Sequence, residues 1–461
     1  MNKQHFDAIV IGSGSSAYFA ITGLNKAGKK VAVIDEREYG GTCALRGCQP
    51  KKYLVANAEA VAMASHLVGK GLTQIPKTDW PALQDLANEF LDGISEGEVE
   101  EFNKAGIATF NGSAQLTGAN EVTVGEAKLT AEHIVLATGA VPRKSTIPGA
   151  EHTHDSEHFL RLPSLPERIV FIGGGYISFE FAHIAARAGA KEVTIIHRSA
   201  RPLKAFDHDM VDVISEASKA AGISIILNEE SERIEKTATG LYIHGKNGSQ
   251  IEADLVIEAS GRVPNLSVLD GDHAKVDHSP KGILVDQHLR SVSNPNVYAI
   301  GDAAANPYML APVADEEGKV AAHNILYGNS RTVDYSVVPS AVFTIPNLAT
   351  VGLTEDQATA QGLDFRVNRG TTTGWPSSRR IGETHSGYKV LINNADNTII
   401  GAHLARHLAS ETINIFALAI RHGIRAAELS EFLWAYPTYT SDLKYMVSPN
   451  VNQKSEQHEQ E

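Results

Sequence analysis

The chain has 461 residues, too long for one hydrophobic core, and at roughly 100–200 residues per domain it predicts two to four folding units. Hydrophobic residues make up 43% and charged residues 21%, and no apolar run approaches the ~18 residues that a membrane span requires, so no membrane partner is expected. A formal net charge of −13 argues against a nucleic-acid partner, whose phosphates would call for clustered Lys and Arg.

In chain order, MNKQH runs directly into the apolar FDAIVIG without the segments of a signal peptide, and a cytoplasmic location is the expectation. Residues 6 to 35 read as strand, glycine turn, helix and strand: FDAIVI, GSGSSA, YFAITGLNKAG, KKVAVID. The spacing Gly12-x-Gly14-x-x-Ala17 permits a tight turn, a close approach of backbone to a pyrophosphate, and packing of helix on sheet. Asp35 follows at the end of the second strand, where a carboxylate can accept from a ribose, so the unit predicts a dinucleotide site.

Next come the two cysteines of the chain, Cys43 and Cys48. A C-x4-C pair closes a loop too short to staple domains, which leaves redox chemistry, half a metal site, or coincidence.

A second strand–turn–helix–strand unit spans 169 to 198, with Gly173, Gly175 and Ser178 in the small-residue positions. The acid expected at the end of its second strand is missing, and His197, Arg198 and Lys204 stand there instead. Cations at the ribose end favour a 2′-phosphate, so NADPH is predicted over NADH, against the alternative of a solvated basic turn. Strand-plus-turn segments follow each unit, AEHIVLATGAVPR at 131–143 and ADLVIEASGRVPN at 253–265. VYAIGD at 297–302 is an apolar strand that puts Gly301 and Asp302 at a sheet edge where ligands bind. From about 336, hairpin-rich segments and the amphipathic ETINIFALAIRHG predict a further α+β domain, and the polar tail 450–461 is expected to be disordered.

GGTCALRGCQPKK, placed just after the first unit, resembles the redox-active signature of the glutathione reductase and dihydrolipoamide dehydrogenase family, the class I pyridine nucleotide-disulfide oxidoreductases. The resemblance extends to ATG at 137–139, GRVPN at 261–265, AIGDAA at 299–304, LAPVA at 310–314 and FTIPNLATVGLTE at 343–355, nearly the whole chain. It implies an α/β fold with two Rossmann-like dinucleotide-binding domains and a C-terminal α+β interface domain. The expected FAD domain is 1–150 plus 270–335, the NAD(P)H domain 151–269, and the interface domain 336–449, which would build a homodimer.

The same resemblance assigns roles. Cys43 would be the interchange thiol facing a small-molecule acceptor and Cys48 the thiol against the flavin, stabilised as thiolate by a nearby cation. Lys51 would lie by the flavin, paired with Glu180, and Tyr176 would cover the nicotinamide pocket. FAD would be held by Gly12, Gly14, Ala17, Asp35, Gly41, Thr42, Thr138, Gly139, Gly301 and Asp302. NADPH would be held by Gly173, Gly175, Tyr176, Ser178, Arg198, Lys204, Gly261 and Arg262. For Glu180 and Tyr176 the alternatives are a solvated helix residue and ordinary helix packing.

The sequence departs from the family at one point. Where the family carries His-Pro-Thr and a glutamate five residues after the histidine, this chain reads WAYPTYTSDL, with Tyr436 for the histidine and Ser441 for the glutamate. A phenol with pKa near 10 is a poor general base at neutral pH, although it can donate a hydrogen bond or approach a bound metal. Tyrosine here also occurs in mercuric reductases, but their additional C-terminal cysteines are absent. The expectation is a reductase that passes electrons from NADPH through FAD and Cys43–Cys48 to a small disulfide, a soft metal ion or another electrophile, with no resident metal. The alternatives are an NAD-dependent dihydrolipoamide dehydrogenase and a redox-sensing flavoprotein that binds a regulatory partner.

Overall fold

The computed structural model of the chain describes residues 3–269, 271 and 273–448, so the tail expected to be disordered lies outside the described residues. The described residues gather into two compact units, one built from 3–53, 84–143 and 261–335 and the other from 54–83, 144–260 and 336–448. These breaks fall near 143 and 260, several residues before the boundaries expected at 150 and 269.

The first unit is organised by the strand Gln4–Ile11, whose AIVI run is buried on both faces, as a central parallel strand requires. It pairs in parallel with Val31–Asp35 on one side and Ala127–Leu136 on the other, and the sheet continues to Ala108–Asn111 and Val297–Ala299. Antiparallel strands Ala114–Gly118 and Glu121–Val124 complete it. The helix Ser15–Lys26 buries Ser16, Ala17, Ala20, Ile21 and Leu24, one face at helical spacing. That face admits the helix Ala311–Tyr327 at close range, because a Cβ on Gly318 would strike Ser16 O.

In the second unit a four-stranded parallel sheet runs Ile223–Ile226, Glu192–Ile196, Arg168–Ile172, Leu255–Glu258. The helix Tyr176–Ala188 connects its middle strands and ends on Gly189 at φ 109°, a left-handed cap that suits glycine. The C-terminal part of the unit is a five-stranded antiparallel sheet of 340–342, 347–352, 399–406, 387–393 and 365–371, covered by the helix Ala409–His422. The two parts are pinned by the buried Lys389, whose Nζ meets Asp207 at 2.9 Å, Asp209 at 2.8 Å and Glu355 at 3.0 Å. Asp207 also caps the helix His208–Ala220 through its other oxygen. No helix among the described residues is long and apolar enough to cross a membrane.

Candidate redox and nucleotide sites

Gly12, the Thr138–Gly139 pair and the Gly301–Asp302 pair all follow the carboxyl ends of parallel strands in the first unit, the edge where such sheets bind ligands. Gly12 sits at φ +107°, and a Cβ on it would strike Ala137 O, so the turn tolerates no side chain. Asp35 Oδ2 accepts from Ser13 N at 2.8 Å and Ser13 Oγ at 2.7 Å, and its Oδ1 accepts from Arg37 N at 2.9 Å. Beside it, Glu98 has a buried Oε1 without a hydrogen-bond partner, and burial followed by the charges of Asp35 and Glu101 raises this carboxyl to about 7. Acceptors left open next to a glycine turn fit a ligand that brings hydroxyl donors, as the ribose of FAD does.

Gly301 N donates to Glu317 Oε2 at 2.6 Å, and Asn306 Nδ2 and Tyr335 OH, each at 2.8 Å, donate to Glu317 Oε1. This buried carboxyl is a support of the site that sequence spacing does not reveal. Burial raises Asp302, an effect opposed by the charge of Arg262. Gly261 and Arg262, expected at the second nucleotide, belong to the first unit. Arg262–Pro264 pairs antiparallel with Ala140–Pro142, and Arg262 Nη2 donates to Ala140 O.

The redox segment rests directly on the first glycine turn. Gly41, at φ +69°, comes so near Gly14 that a Cβ on Gly41 would strike Gly14 Cα, which accounts for glycine at 41. Gly40 N also donates to Ser13 Oγ at 3.1 Å. Cys43 and Thr42 lie on the short helix Gly41–Leu45, and Cys48 opens the helix Cys48–Leu67, whose N-terminal dipole favours negative charge on that sulfur. Lys51 stands one turn further along this helix and is buried. Cys43 is partly buried and Cys48 exposed. A hydrogen bond to Cys48 is the chief cause pushing the Cys43 thiol up, followed by burial and the charges of Cys48 and Asp315, with a hydrogen bond from Ser15 opposing. Asp315 itself has a buried Oδ1 without a partner, and burial raises its carboxyl. Neither Ser15 nor Asp315 stands out in the sequence, because they come from opposite ends of the unit and only helix packing joins them.

In the second unit Gly173 is at φ +121°, and a Cβ there would strike Ala259 O. Gly175 caps the helix Tyr176–Ala188, whose first turn holds no acid, and open space lies where a Cβ on Gly175 would stand. A helix N-terminus of this kind fits a pyrophosphate. Ser178 is fully buried and its Oγ has no partner. His197 packs on Gly174, Leu203 N donates to Gly174 O at 2.8 Å, and burial, then the charges of Lys204 and Arg198, lower His197 against a bond to Arg201 O. Arg198 and Lys204, next in the chain to His197 and Leu203, are exposed. Tyr176 is 50% exposed at the head of the helix. Glu180 is 3% exposed and its Oε1 accepts from Phe343 N at 2.8 Å, so a solvated helix residue does not describe it.

Tyr436 is 74% exposed. Ser441 is buried in a tight turn, donating to Thr438 O at 2.6 Å and accepting from Thr438 N at 3.2 Å. The neighbouring Asp442, a carboxylate one position from the family's glutamate, is committed to Arg406 at 2.5 Å. Among the described residues no group of three or more His, Cys, Asp or Glu forms a metal cage.

Comparison with known proteins agrees with this geometry. Residues 6–318 match the family model described as pyridine nucleotide-disulphide oxidoreductase, and residues 338–447 match the dimerisation domain of the same family. The chain is 33% identical over 454 residues to a glutathione reductase of Burkholderia cepacia, covering 96% of this chain and 98% of that one. It is 31% identical over 446 residues to a mercuric reductase of Staphylococcus aureus, covering 95% and 81%. The Cu(II) complex of the HOCl-induced flavoprotein disulfide reductase RclA from Escherichia coli superposes with a TM-score of 0.87 at 28% identity, covering 97% of this chain and 99% of that one. The chain is therefore a member of the pyridine nucleotide-disulphide oxidoreductases, enzymes acting on sulfur groups with FAD and NAD(P)H, and it carries their dimerisation domain.

Proposed function

We propose that this protein reduces a soft metal ion at the expense of NADPH, with Cys43 and Cys48 as the dithiol that delivers the electrons. The observation that carries this reading is the surroundings of Cys43. Among the described residues of its unit, the groups that act most strongly on the thiol are Cys48, Ser15 and the carboxyl of Asp315. A carboxylate beside a thiol attracts a thiol-seeking cation and disfavours an anionic disulfide such as glutathione. Tyr436 and Ser441 in place of the family's base and its partner point the same way, because metal reduction needs no proton delivered to a leaving thiolate.

Bound FAD supplies the two-electron carrier between the nicotinamide and the thiols. The protein's own part is to hold the two sulfurs adjacent to each other. Cys43 binds the metal, Cys48 closes the disulfide, and two Cu(II) ions each take one electron as two thiol protons leave to water. Ser15, by hydrogen-bonding the Cys43 sulfur, favours the thiolate that binds the cation. Arg198 and Lys204 support NADPH as the donor, and Glu180 and Lys51 serve as the buried polar groups of the nicotinamide and flavin faces. The Cu(II) complex of RclA favours a metal acceptor, here without the additional C-terminal cysteines of the mercuric reductases. The dihydrolipoyl dehydrogenase of Chlamydia muridarum is 32% identical, but an NAD-linked dithiol oxidation fits poorly with Tyr436 and the basic ribose end.

An acceptor screen at fixed NADPH tests the reading, with Cu(II), Hg(II), glutathione disulfide, cystamine, lipoamide and a quinone, repeated with Cys43→Ser. Metal reduction that exceeds the disulfides and disappears in Cys43→Ser is expected. Metal reduction that survives Cys43→Ser, or glutathione disulfide as the best acceptor, would overturn it.

A further inference from the structure

A cavity of about 360 Å³ opens within the second unit, in the size range of small-molecule sites. Its walls come from the far half of the Cys48–Leu67 helix, the ends of the helices Tyr176–Ala188 and His208–Ala220, the segment Ile345–Asn347, and residues 381–385. Most of this lining is apolar, including Met63, Ala217, Ala220 and Ile345.

One cation in the wall is left without a counter-charge among the described residues. Arg187 Nη1 donates to His183 Nδ1 at 3.1 Å and Nη2 donates to Ile345 O at 3.3 Å. His183 is fully buried, and its neighbours fix where its proton sits. Ser218 Oγ donates to Ile214 O at 2.7 Å, so it must accept from His183 Nε2 at 2.8 Å. The ring proton is therefore on Nε2, and Nδ1 accepts from both Arg187 and Ile345 N, the latter at 3.2 Å. Burial, then the charge of Arg187, hold His183 well below its ordinary range.

Arg187 thus meets only a neutral ring and a carbonyl, and burial alone pulls it down to about 10. His66, in the same lining, is lowered by burial and then by Arg187, Lys70 and His385, so it is held toward its neutral form and offers Arg187 no counter-charge. The acids of the lining are engaged elsewhere. Glu383 accepts from His407 N and Ser378 Oγ, each at 2.6 Å, and Glu59 faces Asn347 Nδ2 at 3.5 Å. A partly buried guanidinium without an anion is costly, and a cavity in front of it provides the means to satisfy it.

We propose that this cavity is a binding site for a small organic carboxylate, with the carboxylate on Arg187 and an apolar body against the Met63, Ala220 and Ile345 wall. It does not depend on the identity of the electron acceptor. Arg187 provides a planar pair of donors matched to a carboxylate, which a lysine at the same place would not.

Calorimetric titration of the full-length, flavin-loaded enzyme with benzoate tests this. Saturable binding is expected, with benzamide and inorganic phosphate at least tenfold weaker, since the first lacks the charge and the second the apolar body. Arg187→Met and the cavity-filling Ala220→Phe should each weaken benzoate at least tenfold while NADPH oxidation is retained. Absence of benzoate binding, phosphate binding as tight as benzoate, or unchanged affinity in Ala220→Phe would overturn the proposal. Ala220 lies at the exposed end of its helix, so the Ala220→Phe titration decides the matter even if Arg187→Met does not fold.

Discussion

Arg406 Nη2 lies 2.5 Å from Asp442 Oδ2, with the arginine fully buried and stacked 4.8 Å from the Tyr439 ring. Ser377 Oγ donates to the same carboxylate oxygen at 2.6 Å, and Tyr439 OH donates to Ser377 O at 2.8 Å. The carboxylate nearest the family's glutamate position is thereby turned inward as a structural partner. Asp442→Asn should strand a buried guanidinium and cost roughly 3–5 kcal/mol, read as a lower denaturant midpoint. The paired replacement Arg406→Met with Asp442→Leu should recover most of that loss. If Asp442→Asn unfolds at the wild-type midpoint, the pair does not hold the turn.

Tyr436→His restores half of the missing base. Because Ser441 is 3% exposed and closed on Thr438, no carboxylate can be added at 441 to orient the new ring. A general base contributes ~10²–10⁴, and an imidazole without its partner should recover only about tenfold. The gain should appear in turnover of a neutral disulfide and rise with pH between about 6 and 8 as the imidazole, pKa near 6.5, loses its proton. Metal reduction should not change. A flat disulfide profile identical to wild type would remove the base from the explanation.

For the donor, Arg198→Ala and Lys204→Ala should each lower kcat/KM for NADPH by about tenfold, the size of one charge-assisted hydrogen bond, with NADH altered by less than about twofold. Steady-state kinetics with both nucleotides checks this, and equal losses for the two would mean that the cations do not read the 2′-phosphate.

Glu317 makes stability depend on pH. Burial raises its carboxyl to about 7 from an ordinary 4.5, so the folded protein keeps a proton that the unfolded chain has lost between those values. Its contribution is present below about 4.5 and disappears as pH rises through about 7. Glu317→Gln, which cannot titrate, should flatten that part of the stability profile relative to wild type. Thermal unfolding from pH 4.5 to 8 measures it, and parallel profiles would count against Glu317 as the titrating group.

The parts of this molecule that can be read from the sequence are those governed by local spacing. Strands Gln4–Ile11 and Arg168–Ile172, the helices that follow them and the helix Ala409–His422 fall where apolar period and glycine placement put them. Gly12 and Gly173 are legible because each must avoid a carbonyl directly across its turn. Groups that matter through long-range packing are not. Asp315 reaches the field of Cys43 from a helix more than 250 positions away, and Lys389 gathers acids from 207, 209 and 355. Arg262 sits in a GRVPN segment beside the second nucleotide unit in sequence, yet strand pairing with 140–142 carries it to the first.

The contact of Gly41 with Gly14 has a consequence for how such enzymes diversify. Since the segment bearing Cys43 is seated by backbone against backbone at Gly41 and by Ser13 Oγ at Gly40 N, its position does not depend on Ser15 or Asp315. Ser15 and Asp315 can then be exchanged through mutation while the sulfur stays in register with the nucleotide turn. The scaffold is in this sense evolvable: side chains around Cys43 can drift while the backbone that carries it stays in place.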